Sequence, residues 1–159
     1  MRLSHLDESG RARMVDVAAK PLSRRTALAE GAVRMSHEAF DLVNRNAIAK
    51  GDVLRIAEVA GVMGGKRASD LIPLCHPLGL DSIIVECSAE PVLPGVRITA
   101  SAVVTGRTGV EMEALTAIAV ASLTVYDMVK AVDRTVVIER IRLLEKTGGT
   151  RGDWRRGEG

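Results

Sequence analysis

The stretch DSIIVECSAEPVLPGVRITASAVVT, Asp81 to Thr105, alternates apolar and polar residues on both sides of a proline-rich joint. Ile83, Val85 and Cys87 fall on one face of the first segment; Val96, Ile98, Ala100 and Ala102 fall on one face of the second. Side chains of an extended backbone point alternately to opposite sides, so each segment presents one apolar face. EPVLPG, residues 90–95, is a hairpin connection between them. The stretch reads as two antiparallel strands covered on one side by something else.

Downstream, EMEALTAIAVASLTVYDMVKA, Glu111 to Ala131, is the longest helical signal, and TVVIERIRLL is a final strand. Upstream, RRTALAEGAVRM, Arg24 to Met35, is a strand. Ser36 caps a helix over HEAFDLVNRN, with Glu38 in its first turn. A turn at Lys50-Gly51 precedes Asp52, a second N-cap that opens VLRIAEVAGVMGGKRASD, with Val53, Ile56, Ala57 and Ala60 as its apolar stripe. Gly61, Gly64 and Gly65 weaken that helix in isolation and imply a bend or close backbone packing. RMVDV, Arg13 to Val17, is expected as a short extra strand. From Arg24 onward the order is strand, helices, strand, strand, helix, strand. This is the split βαβ order of an α+β, ferredoxin-like fold: a four-stranded antiparallel sheet with helices on one face, plus the short N-terminal strand. The other sheet face needs cover, most naturally from a second subunit. No linker divides residues 1–159, so a single domain is expected, with about 1–12 and 147–159 flexible.

Composition narrows the function classes. Hydrophobic residues make up 47% and aromatics 2%, so the core must be aliphatic. Single-stranded nucleic acid is bound on aromatic platforms, which this chain lacks. A net charge of +2 suits small anions better than a long polyanion. Cys75 and Cys87 do not form a disulfide framework. The start MRLSHLDESGR has no signal-like apolar stretch, and no run approaches the ~20 apolar residues of a membrane helix. The expectation is a reduced, cytoplasmic protein without membrane or nucleic-acid partners.

PLCHP, residues 73–77, places Cys75 beside His76 between two prolines. A metal site would need further ligands at recognisable spacing, and Cys87, His5 and His37 do not supply them. Adjacent side chains on an extended chain diverge, which also disfavours a Cys-His catalytic pair. Two readings stay open. Leu74, Cys75 and His76 could form a proline-stiffened segment that presents amides and an imidazole to a ligand. Alternatively, the segment is a rigid connection with a buried Cys and a hydrogen-bonded His. Glu111 and Glu113 suit the first turn of a helix, whose macrodipole favours carboxylates. Asp127 and Lys130, three apart, form a surface pair or an oriented lysine acid/base. Glu113 and Asp127 lie 14 residues apart, about 21 Å at the helical rise. A small ligand reaches both only if it is elongated or if different subunits contribute. AGVMGGKR is not a phosphate loop, because Ala60 and Arg67 break the pattern. The tail KTGGTRG, with backbone amides between cations, suits an anion clamp.

In order, MVDV, KGDV, KRASDLIPLCHPL, TGVEMEALTA, LTVYDMVKA and RLLEKTGG closely resemble the molybdenum-cofactor biosynthesis protein C family, the cyclic pyranopterin monophosphate synthases. The resemblance runs from about Leu3 to Trp154. It implies a ferredoxin-like lyase that rearranges a cyclised dihydroguanosine triphosphate into cyclic pyranopterin monophosphate and releases pyrophosphate. It also implies a hexamer of three dimers with sites at subunit interfaces. Carried over by motif, Leu74, Cys75, His76, Met112 and Glu113, with Glu111 beside them, bind substrate. Asp127, Lys50 and Lys130 are the catalytic group, and Arg25, Lys66 and Lys146 are the basic positions for the triphosphate. No metal site and no cofactor are implied, beyond a magnesium ion that could travel with the phosphates. The family tail reads K-x-G-G-K-[ST]-G; here Thr150 stands at the second lysine, with Arg151 one residue on. A non-catalytic nucleotide-binding or scaffold paralogue is the alternative.

Overall fold

The computed structural model describes residues 9–150 and 152–157. The elements run β1 (Ser23–Arg34), α1 (His37–Asn44), α2 (Val53–Gly65), α3 (Ala68–Leu71), β2 (Ser82–Glu90), β3 (Gly95–Gly106), α4 (Glu111–Val129), β4 (Val137–Thr147) and β5 (Trp154–Arg155). One antiparallel sheet has the order β2-β3-β1-β4-β5. Its first four strands have the ferredoxin-like arrangement read from the sequence. The fifth corrects the expected count of four: after a glycine turn the chain folds back, and Trp154 and Arg155 pair with Lys146 and Glu145.

The hairpin that opened the sequence reading pairs Ser82–Glu90 with Gly95–Val103 in continuous register. Val85, Val96, Ile98, Ala100 and Ala102 are buried as alternation requires. The N-terminal expectation is corrected. Residues 13–17 belong to no strand, although Val15 and Val17 are half-buried and Met14 and Asp16 exposed. Alternation there reports which side faces the protein, not membership of the sheet. The second predicted helix also ends early, at Gly65, where Lys66 turns the chain into the short α3. Ser36 and Asp52 cap α1 and α2 as their residue types demand, accepting from the amides of Ala39 and Arg55.

Helices α2 and α4 pack together on one sheet face, and the core between them and the sheet is aliphatic. Val33, Val96, Ile98, Ile118, Val125 and Val129 are fully buried, each contributing about 1.5–3 kcal/mol. The three glycines of α2 permit this approach. A Cβ at Gly61 would stand 2.9 Å from Val85 Cγ1 and 3.1 Å from the Ala117 carbonyl, and one at Gly64 would stand 2.6 Å from Val120 Cβ. Among the described residues α4 alone is long and apolar enough to cross a membrane, yet Ala114, Ala117, Ile118 and Ala121 have no exposed surface. Its apolarity is that of a central core helix. Asp133 then ties the exit of α4 to the entry of α1, accepting from the Ser36 amide at 2.7 Å and from Thr135 at 2.7 Å.

Candidate active site

The first turn of α4 meets the end of β1, the end of β4, the loop 106–109 and the PLCHP segment around one cleft of about 400 Å³. Seven of the residues singled out from the sequence line it: Leu74, Cys75, His76, Glu111, Met112, Arg25 and Lys146. Glu113 lies directly behind, 3% exposed, and accepts from Cys75 Sγ at 3.5 Å.

PLCHP opens as a turn. The Cys75 amide donates to the Ile72 carbonyl at 3.0 Å, placing Pro73 at the second position of a four-residue turn. Leu74 therefore belongs to a turn and not to the expected extended tripeptide, because proline at that position presets the turn. Beyond it the neighbours diverge. Cys75 reaches back to Glu113, while His76 Nε2 lies 2.8 Å from the Val15 carbonyl. A carbonyl can only accept, so Nε2 carries the proton.

Arg25 points inward from β1 and is 8% exposed, its Nε donating to the Gly106 carbonyl at 3.1 Å. Gly149 passes over the guanidinium so closely that any Cβ would fall on Arg25 Nη1, and it adopts φ +89°. Only glycine satisfies both conditions. The carboxylate of Glu111 holds Lys146 Nζ at 2.7 Å across the cleft. Val110 gives the α4 N-terminus no side-chain cap, and the positive dipole end of the helix lies at the cleft, where Glu111 and Met112 line it.

Burial pushes the Glu113 carboxyl above its ordinary pKa, with the negative charge of Glu111 adding to it. Its Oε2 has no hydrogen-bond partner. Burial, then the charge of Glu113, pushes the Cys75 thiol up to about 11. At pH 8 the thiolate fraction is thus about a hundredfold below that of a thiol with the ordinary value near 9. Iodoacetamide should alkylate Cys75 correspondingly slowly, with the rate climbing about tenfold per pH unit up to pH 10. A plateau near pH 9 would show that the thiol is not perturbed.

A second cluster lies apart. Lys50 Nζ meets Asp127 Oδ2 at 2.8 Å, and Lys130 Nζ meets Oδ1 at 2.6 Å. Hydrogen bonds from Lys130 and then Lys50 hold the Asp127 carboxyl down at about 2, and the same contact raises Lys130. All three side chains are exposed. From Glu111 to Asp127 α4 spans about 24 Å, so one chain does not bring its two clusters together. Lys66, at the end of α2, also does not line the cleft.

The cleft also takes in Val15 and Val17 of MVDV and Thr108 of TGVEMEALTA, to which no role was given, together with Lys20 and Arg107. The alternation of MVDV was the available signal for the first two. Arg151 and His5 lie outside the described residues.

Fold and cleft define a ferredoxin-like α+β protein with a cationic small-molecule cleft. The chain belongs to the MoaC family, whose model matches residues 14–149. It is similar to a cyclic pyranopterin monophosphate synthase from Methylobacterium sp. (strain 4-46), 58% identical over 152 residues, 96% of this chain and 95% of the relative. Proteins of the same name from Cereibacter sphaeroides (strain KD131 / KCTC 12085) and Brucella ovis are 57% identical over 94% of this chain and 55% identical over 96% of it, covering 94% and 93% of those relatives.

Proposed function

We propose that this chain is a cyclic pyranopterin monophosphate synthase, a lyase of molybdenum-cofactor biosynthesis. It would convert 3′,8-cyclo-7,8-dihydroguanosine 5′-triphosphate into cyclic pyranopterin monophosphate and pyrophosphate. The observation that carries the reading is the convergence of Arg25, Lys146 and the uncapped α4 terminus with Cys75, Met112 and buried Glu113 in one cleft. The cations suit the phosphates, and the apolar and carboxyl groups suit a ring with polar edges. Names of relatives 55–58% identical along nearly the whole chain support the same activity.

Rearranging the ring needs groups that move protons, and the Lys50-Asp127-Lys130 cluster supplies them. In this geometry Asp127 is ionised and Lys130 protonated, so Lys130 is set to donate and Asp127 to orient it. A ribose oxygen would then attack the phosphorus nearest the sugar, forming the cyclic phosphate P–O bond as the P–O bond to pyrophosphate breaks. Arg25 and Lys146 would stabilise the leaving charge. A magnesium ion, where one is present, would arrive as the counter-ion of the phosphates.

The 24 Å gap within one chain is bridged if a second copy presents its lysine cluster, and Lys66, to this cleft. A homohexamer of three dimers in the cytoplasm satisfies that requirement. The outer sheet face, where Arg97 and Arg142 grip Glu30, offers a polar surface for such contacts.

The test is pterin formation from the cyclised triphosphate by purified wild-type, Lys50→Ala and Lys130→Ala proteins. Activity in the wild type alone supports the assignment, and full activity in both variants removes the lysines from it. No activity in any of the three favours the scaffold. The Glu111–Lys146 pair adds a separate expectation. Phosphates must displace Glu111 from Lys146, so Glu111→Gln should bind inorganic tripolyphosphate roughly threefold tighter by calorimetry. Weaker binding would show that Glu111 helps to hold the anion.

A further inference from the structure

We infer that residues 15–20 form a flap over the cleft, and that Arg107 is the positioning residue that latches its far end. The inference rests on the cleft being the substrate site.

Within the segment, the Ala18 amide donates to Asp16 Oδ1 at 2.8 Å and the Lys20 amide to the Val17 carbonyl at 3.0 Å. These bonds close the segment on itself as a compact turn. Among the described residues two hydrogen bonds tie residues 15–20 to the body. His76 Nε2 donates to the Val15 carbonyl at 2.8 Å, and Arg107 Nε donates to the Lys20 carbonyl at 3.0 Å. Both latches come from the walls of the cleft itself. Val15 and Val17 line the cleft and are half-buried, whereas Asp16 and Ala18 are exposed. The flap therefore lays an apolar wall on one side and delivers Lys20, also a lining residue, at its end.

A segment without a strand partner, held by one side-chain hydrogen bond at each end, opens without disturbing the sheet. Closed, it excludes water and places the Lys20 side chain. Arg107 acts through that segment: the contact in evidence is to the Lys20 backbone.

Hydrogen–deuterium exchange on the ligand-free protein tests the latch, comparing wild type, Arg107→Met and Arg107→Lys. The methionine keeps the stem but cannot donate. Its amides at 17–20 should exchange about tenfold faster, with β1 and β3 unchanged, and lysine should restore protection because it donates to the same carbonyl. With the cyclised triphosphate, Arg107→Met should raise KM about tenfold with kcat preserved, the signature of lost uniform binding. Equal exchange in wild type and Arg107→Met overturns the latch. Faster exchange with unchanged KM overturns the role of the flap at the cleft. If the wild type turns nothing over, the functional reading fails, and exchange still decides whether Arg107 holds the flap.

Discussion

Co-assembled Lys50→Ala and Lys146→Ala proteins should form pterin at a rate neither reaches alone. Lys146 lines the cleft at the start of α4, and Lys50 sits with Asp127 near its end, about 24 Å away. Removing Lys50 takes away a group that shuttles protons, on the order of 10²–10⁴-fold in rate, and removing Lys146 takes away a cation that stabilises the leaving charge, on the order of 10²–10³-fold, so each variant alone should be close to inactive. If a site combines the cleft of one chain with the lysine cluster of another, random mixing leaves about a quarter of the sites with both intact. Co-expression of differently tagged chains followed by tandem purification gives the mixed assembly, and its rate is compared with the two parents. A mixture no faster than their sum would place both clusters' work within a single chain.

Gly61→Val should give a large loss of stability from a single buried helix position. Its first added carbon would press on Val85 Cγ1 at 2.9 Å and on the Ala117 carbonyl at 3.1 Å, and the branches have nowhere to go. Overpacking of this kind costs about 1–3 kcal/mol, or a fall in Tm of roughly 2–12 °C for a domain of this size. Val59→Ala, two residues away on the same helix but 62% exposed, is the control and should change stability by less than about 0.5 kcal/mol. Equal midpoints for the two variants in thermal and urea unfolding would mean that α2 and α4 can separate without cost.

The fold was legible wherever one face of an element is buried along its length. Ile98 and Ala100 alternate with Arg97 and Thr99 because the helices cover one side of β3 only, and that leaves a period-two trace. The glycines of α2 announced close packing because nothing else explains three of them in a helix. Two elements left misleading traces or none. Val15 and Val17 alternate like a strand, although the surface they face is a cleft wall. Trp154 and Arg155 form a strand of two residues, too short for any period to show.

The site was legible in pieces. Glu111 and Glu113 announce a helix start, and Asp127 with Lys130 a surface pair, from local spacing alone. The contacts that give these groups chemical character are not local. Cys75 meets Glu113 across 38 residues, and Lys50 meets Asp127 across 77. Pairings of that separation are set by how α4 lies against the loops, which no spacing rule encodes. The resemblance to a family named the residues but not these pairings, and within one chain the residues fall into two groups, as the helical spacing of Glu113 and Asp127 required. Arg107 escaped notice because its partner is a backbone carbonyl, which has no letter in the sequence.

The short β5 changes what the molecule can build. It stoppers one lateral margin of the sheet beside Glu145 and Lys146, and the rest of β4 is made irregular by register shifts and by Arg140 at φ +58°. The opposite margin, β2, is regular, with Glu58 occupying the Cys87 amide. Fibre growth by strand addition requires two open margins on every copy. A copy with one regular margin joins its twin across a two-fold axis and stops, so the short β5 and the irregular β4 disfavour filament growth by strand addition.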